Sequence, residues 1–432
     1  MTHQLPLGNN ILKLDALSRQ KEIYTRGVSG KKPLIPTDFN TLEKCAKKKL
    51  TKEAYAYVAG GAGLESTVKN NRIGFNKYQI VPKMLHSAPT RSLSTEFLGN
   101  QYSSPFFLCP IGVLELVHHQ ADLAIAQACR KMQVPMMVSN QASFPMENIA
   151  KELEGGDWYF QLYISKSDDL ALNLVKRAEQ SGAKALVITL DTTLLGWRNR
   201  DLNLAYLPFL KGKGIAQYTS DPVFSDIVRN WPEEKSDAKV TIKSIWHLLR
   251  LAAKIPGNYL ENLKGRALNT VKAFTQLYTR PDLDWAMIEK IRLATNLPII
   301  LKGIQNPHDA QKAIQAEVNA IYVSNHGGRQ VDGAIASIDT LANIKTVVKN
   351  QVPILFDSGI RCGADAMKAI ALGANMVGIG RPYVYALGLA GSRGVTELIK
   401  NFSAELELNM SLSGSSTIDA ISNLTLIRPD HL

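Results

Sequence analysis

The amino-acid sequence predicts a (β/α)8 barrel, the TIM-barrel fold, with an N-terminal helical extension and a long insertion after the fourth strand. Two observations predict it. Eight short apolar segments recur along the chain, each followed by a segment with helical periodicity, and nearly every one ends in a side chain able to do chemistry. Strands that are apolar almost throughout and alternate with helices indicate a parallel sheet buried on both faces. Eight such units favour a closed barrel over an open sheet.

Each of the eight predicted strands closes on a polar or small residue. They are PFFLCP (105–110), PMMVSN (135–140), WYFQLY (158–163), KALVITLD (184–191), PIILKG (298–303), NAIYVSN (319–325), PILFDSG (353–359) and NMVGIGR (375–381). Helical patterns between them include 120–131, 170–181, 307–316 and 363–372. Catalytic groups at the carboxyl ends of several strands are what a barrel active site requires. For any single strand, the alternative is that its last residue only forms the closing turn.

The interval between the fourth and fifth predicted strands is the longest, at about 107 residues. A structureless loop of that length is rare in a compact domain. Ile245, Leu248, Leu249 and Ala252 follow helical spacing, which predicts a helix with one apolar and one basic face. We interpret the insertion, about 203–282, as a lid over the barrel mouth. A basic amphipathic helix resting on an anionic membrane is the alternative.

The chain is predicted to have three parts: a helical segment that packs on the barrel, the barrel itself and a tail, at residues 1–104, 105–411 and 412–432. In the first part, helices are expected over 37–60 and 64–70, broken by the AGGAG turn at 59–63. A closing helix is expected over about 391–410.

Composition limits the classes of function. The 432 residues carry a net charge of +12, and residues 205–280 supply half of it, with 12 Lys and Arg against 6 Asp and Glu. No basic patch interleaved with aromatic residues accompanies this charge, so we expect no nucleic-acid partner. The four scattered cysteines indicate a reducing compartment and no metal site. With no apparent signal peptide or membrane-spanning run, the expected location is cytoplasmic.

The segment SNHGGRQ (324–330) carries the strongest chemical signal. It places the imidazole of His326 three residues before the guanidinium of Arg329, directly after a strand. A base beside a carboxylate-binding arginine suits a substrate whose reacting carbon adjoins a carboxylate. Beyond the fourth strand, LDTTLLGWRNRDL (190–202) adds Asp191 and Arg198.

Two glycine-containing turns follow the last two strands, DSGIRCG (357–363) and GIGRP (378–382). Barrels commonly hold a phosphate group there, through backbone N–H groups and a helix N-terminus. Plain turns with surface arginines are the alternative. Lys302 emerges from the fifth strand; such a lysine can extend to solvent or place positive charge against a cofactor.

These segments resemble the FMN-dependent family that oxidises L-2-hydroxy acids, which includes glycolate and lactate oxidases and flavin-dependent lactate and mandelate dehydrogenases. The resemblance runs from EIYTRG near residue 22 to the tail helix near residue 411, and SNHGGRQ is highly specific to the family. Within the family, the likeness is greatest to the lactate 2-monooxygenase branch. Supporting segments are YVAGGAG (57–63), APTRSLS (88–94), PIGV (110–113), VITLDTTLLGWRNRDL (187–202), LPFLKG (207–212), DPVF (221–224), ILKGIQNPHDA (300–310) and IGRPYVYALGLAGSRG (379–394).

The resemblance implies roles for individual residues. The substrate site would contain a base, a carboxylate that stabilises it, two carboxylate-binding arginines and two hydrogen-bonding tyrosines: His326, Asp191, Arg198, Arg329, Tyr57 and Tyr163. In the FMN site, the backbone of Ile111 and Gly112 would lie at the flavin edge, Lys302 near N1 and O2, and Asp357 on the ribityl hydroxyls. Polar side chains would bond the ring and the ribityl chain: Ser139, Gln161, Thr189 and Ser324. The phosphate would be held by Gly359, Arg361, Gly380 and Arg381.

Two positions depart from the pattern of the resembled oxidases. Many members have Ser-Trp after the second strand, whereas this chain has Ser139-Asn140-Gln141, so we expect a more polar pocket wall. Alanine is frequent at the position of Gly112, and the missing methyl group is expected to leave more room over the flavin.

The implied reaction is oxidation of a small L-2-hydroxy acid, most simply L-lactate, by O2, with conversion to acetate, CO2 and water. An oxidase that releases pyruvate and H2O2, or a quinone-linked dehydrogenase that touches a membrane through the lid, remains open. A flavin-free isomerase of phosphate substrates, or a non-catalytic barrel, would use the same phosphate turns but has no need for His326, two arginines and Lys302 together. The resemblance also implies a homo-oligomer, a tetramer or octamer.

Overall fold

The structure is a computed structural model, which describes residues 16–86, 90–232 and 241–428. Eight parallel strands form a closed barrel in chain order, and the last strand pairs with the first through Val377 opposite Phe106. The strands are β1 (Phe106–Leu108), β2 (Met136–Ser139), β3 (Trp158–Leu162), β4 (Ala185–Thr189), β5 (Ile299–Ile304), β6 (Ala320–Val323), β7 (Ile354–Phe356) and β8 (Met376–Ile379). The predicted barrel and all eight predicted strands are confirmed.

The barrel is packed from within, and its N-terminal end is closed. Side chains that alternate along the strands divide between an interior cluster and the layer facing the helices; Phe107 points inward, whereas Phe106 and Leu108 point outward. An antiparallel hairpin of Thr95–Phe97 and Asn100–Tyr102 adds Phe97 and Tyr102 to the interior cluster. Because the hairpin fills this end, the opposite mouth is left for a site.

Helices cover the outside of the barrel: Ala121–Met132, Met146–Leu153, Asp168–Gln180, Trp285–Leu293, Pro307–Gln315, Ser337–Val348, Gly363–Ala371 and Arg381–Leu412. The four helices predicted between the strands, at 120–131, 170–181, 307–316 and 363–372, are present to within two residues. The last helix begins ten residues before the predicted 391. It starts directly after β8 and is interrupted at Ala390 and Gly391, where Gly391 has φ 58°. The predicted closing helix therefore corresponds only to the part of this helix that follows the interruption.

The N-terminal extension has four helices, Ala16–Val28, Phe39–Lys49, Lys52–Ala59 and Ser66–Asn76. The predicted span 37–60 is divided because Thr51 caps a new helix, its side chain accepting a hydrogen bond from the N–H of Ala54. The first helix packs on the last one, where Arg19 bonds Asn401 and Glu397.

The insertion after β4 is largely helical. Its elements are Asn199–Asn203, the 3-10 turn Pro208–Lys211, Ala216–Thr219, Pro222–Arg229, Ile242–Lys254, Tyr259–Glu261, the π-helical Asn262–Arg266 and Ala267–Leu277. Aromatic side chains form its core: Phe209, Tyr218, Phe224, Phe274 and Tyr278. Ion pairs of Lys254 with Glu115 and of Arg177 with Asp221 hold it against the barrel.

The predicted helix is present as Ile242–Lys254, but the first residue of its apolar face is not buried. Ala252 is buried as expected, but Ile245 is 49% exposed and Trp246 is 60% exposed. Only the last turns of this helix pack on the rest of the insertion. The apolar spacing in the sequence therefore extends further than the surface that could bury it. No helix in the described ranges is long and apolar enough to cross a bilayer.

The remaining elements are short. A two-stranded sheet joins Gln79–Ile80 to Leu426–Ile427, a short helix covers Ile418–Ile421, and 3-10 turns cover Leu114–Leu116 and His326–Gly328.

Candidate active site

A cavity of about 980 Å³ opens at the C-terminal mouth of the barrel. This volume includes space that is open to solvent at the mouth. Thirteen of the residues singled out from the sequence line it: Tyr57, Ile111, Gly112, Tyr163, Arg198, Lys302, His326, Arg329, Asp357, Gly359, Arg361, Gly380 and Arg381.

The other five are not among the lining residues, but they lie at or just after the ends of the same strands. Three of them form a buried chain: the Ser139 hydroxyl donates to Gln161 Oε1 at 3.2 Å, and Gln161 Nε2 donates to Thr189 Oγ1 at 3.0 Å. The chain runs from β2 to β3, where Ser139 and Gln161 are register partners, and then to β4, where Thr189 lies two residues beyond Val187, the register partner of Gln161. The remaining two, Asp191 and Ser324, contact residues that face the cavity.

Lys302 is nearly fully buried and lies close to both Ser324 and Asp191. Its Nζ donates to Ser324 Oγ at 3.2 Å and lies 3.8 Å from Asp191 Oδ2. Ser324 Oγ also accepts the N–H of His326 at 3.1 Å. The lysine therefore brings a positive charge to the cavity floor from a fixed position, and does not extend to solvent.

His326 and Asp191 form a close pair, with 2.8 Å between His326 Nδ1 and Asp191 Oδ1. Thr192 supports it by donating its hydroxyl to the same carboxylate oxygen at 2.9 Å. The other ring nitrogen, Nε2, lies 3.5 Å from the hydroxyl of Tyr163 at the cavity. The imidazole side chain keeps 17% of its surface exposed, enough for Nε2 to meet a ligand.

The charges of this pair are set by its surroundings. Burial lowers the pKa of His326 below its ordinary value, although Asp191 opposes the shift. Burial alone would raise the pKa of Asp191, but the charges of His326 and Lys302 hold it well below its usual range. Above the lowered pKa of His326 the imidazole is neutral, and the charge of Lys302 with the hydrogen bonds from His326 and Thr192 then keeps Asp191 a carboxylate.

The loop after β6 is held in an unusual backbone conformation. His326, Gly327 and Gly328 all have positive φ, at 57°, 64° and 75°. A non-glycine residue there costs about 1–3 kcal/mol and persists only where its surroundings fix it. Ser358 supplies part of that support, since its hydroxyl accepts the N–H of Gly327 at 3.0 Å. The positive φ of Gly327 favours glycine, and a Cβ there would also lie 2.9 Å from Arg381 Nη1.

Two arginines create a positive pole on one side of the imidazole. Arg329 donates to the carbonyl of Gly60 at 2.9 Å and to that of Tyr57, whose ring it also covers. Burial and the charge of Arg198 lower the pKa of Arg329 to about 9. Two like charges facing one cavity favour the binding of an anion between them.

A second positive pole lies at the turns after β7 and β8. Arg381 donates to the carbonyls of Val58, Gly60 and Gly327 at 2.9–3.0 Å, which joins the N-terminal extension to the site. Burial, followed by the charge of Arg381, lowers the pKa of Arg361 to about 10. Within the described chain, Arg361 Nε is buried without a hydrogen-bond partner. A buried cationic donor without an acceptor is suited to an anionic group such as a phosphate.

Several cavity residues were not predicted as site residues. Thr192, Ser358, Phe209 and Tyr278 line the cavity. The first two adjoin predicted residues in the sequence, which is a usable signal. Phe209 and Tyr278 come from distant parts of the insertion, where no local pattern marks them. Within the described residues, no group of three or more His, Cys, Asp or Glu side chains is arranged to hold a metal ion.

The expected extra room at Gly112 is not present. A Cβ there would lie 2.7 Å from Gln141 Cβ and 3.3 Å from Gln141 Oε1. The space of the missing methyl group is thus filled by Gln141, which also lines the cavity. The predicted polar wall after β2 therefore consists of Gln141, whereas Asn140 is fully buried behind it.

A barrel mouth that brings a paired histidine and two groups of arginines to one cavity suits an acidic substrate beside a phosphate-bearing cofactor. The similarity of the chain to a known family identifies the class of enzyme. Residues 46–428 match the FMN-dependent dehydrogenase family, and the chain belongs to that family. The protein is therefore an FMN-dependent oxidoreductase.

Named relatives match over nearly the whole chain. An L-lactate oxidase of Lysinibacillus sphaericus is 34% identical over 411 residues, covering 95% of this chain and 97% of the relative. Human 2-hydroxyacid oxidase 1 is 33% identical over 395 residues, covering 91% and 96%. The crystal structure of a mandelate oxidase with (S)-4-hydroxymandelic acid aligns with a TM-score of 0.75 at 29% identity, covering 90% of this chain and 99% of that one.

The residues present fit FMN. Within the described residues, the far pole of the cavity offers the partnerless Nε of Arg361 to a phosphate, and Lys302 brings positive charge to the cavity floor. A Cβ at Gly380 would touch nothing closer than 3.9 Å, so the turn after β8 leaves open space beside that pole.

Proposed function

We propose that this protein oxidises a small L-2-hydroxy acid, in the first place L-lactate. One observation carries the proposal: Nε2 of His326 faces a cavity that Arg198 and Arg329 also line, while Asp191 occupies the other ring nitrogen. A base beside two guanidiniums matches a substrate that has its carboxylate next to the carbon to be oxidised. The names of relatives, L-lactate oxidase and 2-hydroxyacid oxidase, support the same substrate class.

The side chains would divide the work as follows. Arg198 and Arg329 bind the substrate carboxylate through charge-assisted hydrogen bonds, helped by the hydroxyl of Tyr57. Tyr163 bonds the substrate hydroxyl close to His326. The imidazole then accepts the hydroxyl proton.

The carboxylate of Asp191, already in contact with Nδ1, stabilises the imidazolium that forms. Bound FMN supplies the acceptor for the two electrons that leave the substrate's α-carbon.

The FMN would be held by residues on every side of the cavity. Polar groups at the strand ends, the lysine on the floor and the far positive pole would provide its contacts: the backbone at Ile111 and Gly112, the side chains of Ser139, Gln161, Thr189, Ser324, Lys302 and Asp357, and the phosphate cradle of Gly359, Arg361, Gly380 and Arg381. Lys302 would place its charge where reduction makes the cofactor more negative.

For the second half of the reaction we propose O2 as acceptor, with pyruvate retained until the peroxide formed from O2 decarboxylates it. The sum is lactate + O2 → acetate + CO2 + H2O. Retention requires a slow exit for pyruvate. Phe209 and Tyr278 of the insertion line the cavity, which supports a lid that slows this exit.

Product analysis in air tests this proposal. Holoenzyme with limiting L-lactate should yield acetate in a 1:1 ratio to lactate consumed, with little free pyruvate or H2O2. The same protein under anaerobic conditions should yield one pyruvate per FMN and no acetate. Stoichiometric pyruvate and H2O2 in air would show an oxidase, and absence of FMN reduction by L-lactate would refute the substrate.

A quinone-linked dehydrogenase is the second candidate, because of the exposed end of the helix Ile242–Lys254. Ile242, Ile245 and Trp246 are 76%, 49% and 60% exposed there, with the exposed Arg250 on the same helix. Apolar side chains beside basic ones suit the surface of an anionic membrane. Rapid reduction of a quinone analogue with slow use of O2 would favour this candidate.

A further inference from the structure

Gln330 joins the two loops that carry the substrate-binding groups. Its Nε2 donates to the carbonyl of Asp191 and to that of Leu194, both at 2.9 Å. Its Oε1 accepts a hydrogen bond from Nη2 of Arg198 at 3.1 Å. One carboxamide therefore connects the loop after β6 with both ends of the segment 191–198 after β4.

The same two loops are in direct backbone contact at Gly196. A Cβ at this position would lie 2.4 Å from the carbonyl oxygen of Arg329 and 2.9 Å from the Cα of Gln330. No side chain fits between the loops there, so their separation is fixed. Within this fixed separation, Gln330 bonds the guanidinium of Arg198 directly.

Few other groups orient Arg198. Within the described residues, its only other hydrogen bond runs from Nε to the carbonyl of Arg329, at 3.4 Å. That bond is long, so the shorter bond from Gln330 contributes more to the orientation. A neutral carboxamide also leaves the positive charge of Arg198 free for a ligand, whereas a carboxylate in its place would neutralise it.

We propose that Gln330 is a positioning residue for the binding of the substrate carboxylate. It does not line the cavity and acts through Arg198. Through the carbonyl of Asp191 it also holds the backbone of the residue that contacts the base. The inference rests on the proposed function, because it takes Arg198 to be the group that meets the carboxylate.

The test compares Gln330→Met, Gln330→Glu and a matched control, Gln217→Met. Gln217 is a fully buried carboxamide that joins the short helix Ala216–Thr219 to another segment, accepting from the N–H of Met146 at 2.9 Å and donating to the carbonyl of Phe144 at 3.1 Å. It makes no contact with Arg198. Its replacement therefore measures what the loss of a bridging amide does to stability alone.

Two readouts are needed: KM and kcat for L-lactate, and the Kd of oxalate for the oxidised holoenzyme, followed by the change in flavin absorbance. Loss of a hydrogen bond to a charged group should raise KM and the oxalate Kd about tenfold or more in Gln330→Met, with a smaller change in kcat. Gln330→Glu should weaken oxalate at least as much, because its carboxylate pairs with Arg198. Gln217→Met should lower Tm and leave the oxalate Kd within about twofold.

An oxalate Kd unchanged within about twofold in both Gln330 variants would overturn the inference. So would equal weakening in Gln217→Met, which would mean that any loss of loop stability has this effect. Oxalate binding needs no turnover. A wild-type protein that fails to oxidise L-lactate would thus refute the proposed function, while the ratio of oxalate affinities would still decide the role of Gln330.

Discussion

Asp191 Oδ1 lies 2.8 Å from Nδ1 of His326, and this contact decides which ring nitrogen can act as a base. An ionised carboxylate can only accept a hydrogen bond, so the ring proton lies on Nδ1. The lone pair of Nε2 is then free on the side of the cavity, close to the hydroxyl of Tyr163. The geometry thus orients the imidazole as a base before any ligand binds.

Replacing the base should stop the reaction without emptying the site. Proton transfer by a positioned histidine contributes roughly 10²- to 10⁴-fold, so His326→Gln should lose that factor in the rate of FMN reduction. FMN should stay bound, because its proposed contacts are made by other residues. Anaerobic stopped-flow absorbance with L-lactate measures the rate, and the flavin-to-protein ratio provides the control. Reduction at the wild-type rate would remove His326 from the mechanism.

The pH dependence of kcat/KM should report the lowered pKa of His326. The base works only when neutral, so activity is lost as pH falls through the pKa that the imidazole has in the folded protein. Burial lowers that pKa below 6.5, and the acid limb should therefore have its midpoint below pH 6.5.

Asp191→Asn provides a second check of the same assignment. The carboxylate raises the pKa of His326, so its removal should shift the acid limb to still lower pH. It should also lower kcat, because the imidazolium loses its stabilising charge. An acid limb above pH 6.5 in the wild type, or a shift to higher pH in the variant, contradicts this account.

The carboxylate pole should depend on guanidinium geometry as well as on charge. Arg329→Lys keeps the charge but loses the bonds to the carbonyls of Tyr57 and Gly60 and any bidentate contact with substrate. We expect KM for L-lactate to rise about tenfold or more. Arg200→Lys is the matched control, since Arg200 pairs with Glu65 and does not line the cavity. Equal effects at both positions would argue against a specific role for Arg329.

The barrel and most of the cavity could be predicted because their signals are local. A buried parallel strand needs a continuous apolar run, and the residue at its end is fixed by the same run. Lys302 and His326 could therefore be placed at one rim from the sequence alone. Thr51 shows a local signal that was missed, because a threonine before a new helical segment is a recognisable N-cap.

What could not be predicted depends on how distant loops pack. Phe209 and Tyr278 reach the cavity only because the insertion folds around its own aromatic core. Ile245 is exposed because the apolar face of its helix extends beyond the part of the insertion that packs against it. The contact between Gly112 and Gln141 belongs to the same class, since it depends on the relative placement of two loops after different strands.

That contact predicts coupling between positions 112 and 141. Gly112→Ala would place a methyl group 2.7 Å from Gln141 Cβ, and overpacking of this kind costs about 1–3 kcal/mol. Gln141 must then move from the cavity wall, so both stability and the product ratio of acetate to pyruvate should change. Gln141→Gly removes the clashing Cβ and provides the partner mutation for a double-mutant cycle.

In that cycle, the methyl group at position 112 should cost much less in the background of Gln141→Gly than in the wild type. The interaction free energy from chemical unfolding of the holoenzyme should lie in the range of about 0.5–3 kcal/mol that contacting residues show. The contact with the carbonyl oxygen of Gln141, at 3.0 Å, remains in both backgrounds and limits the recovery. Purely additive effects would mean that Gly112 is present for some reason other than to make room for Gln141.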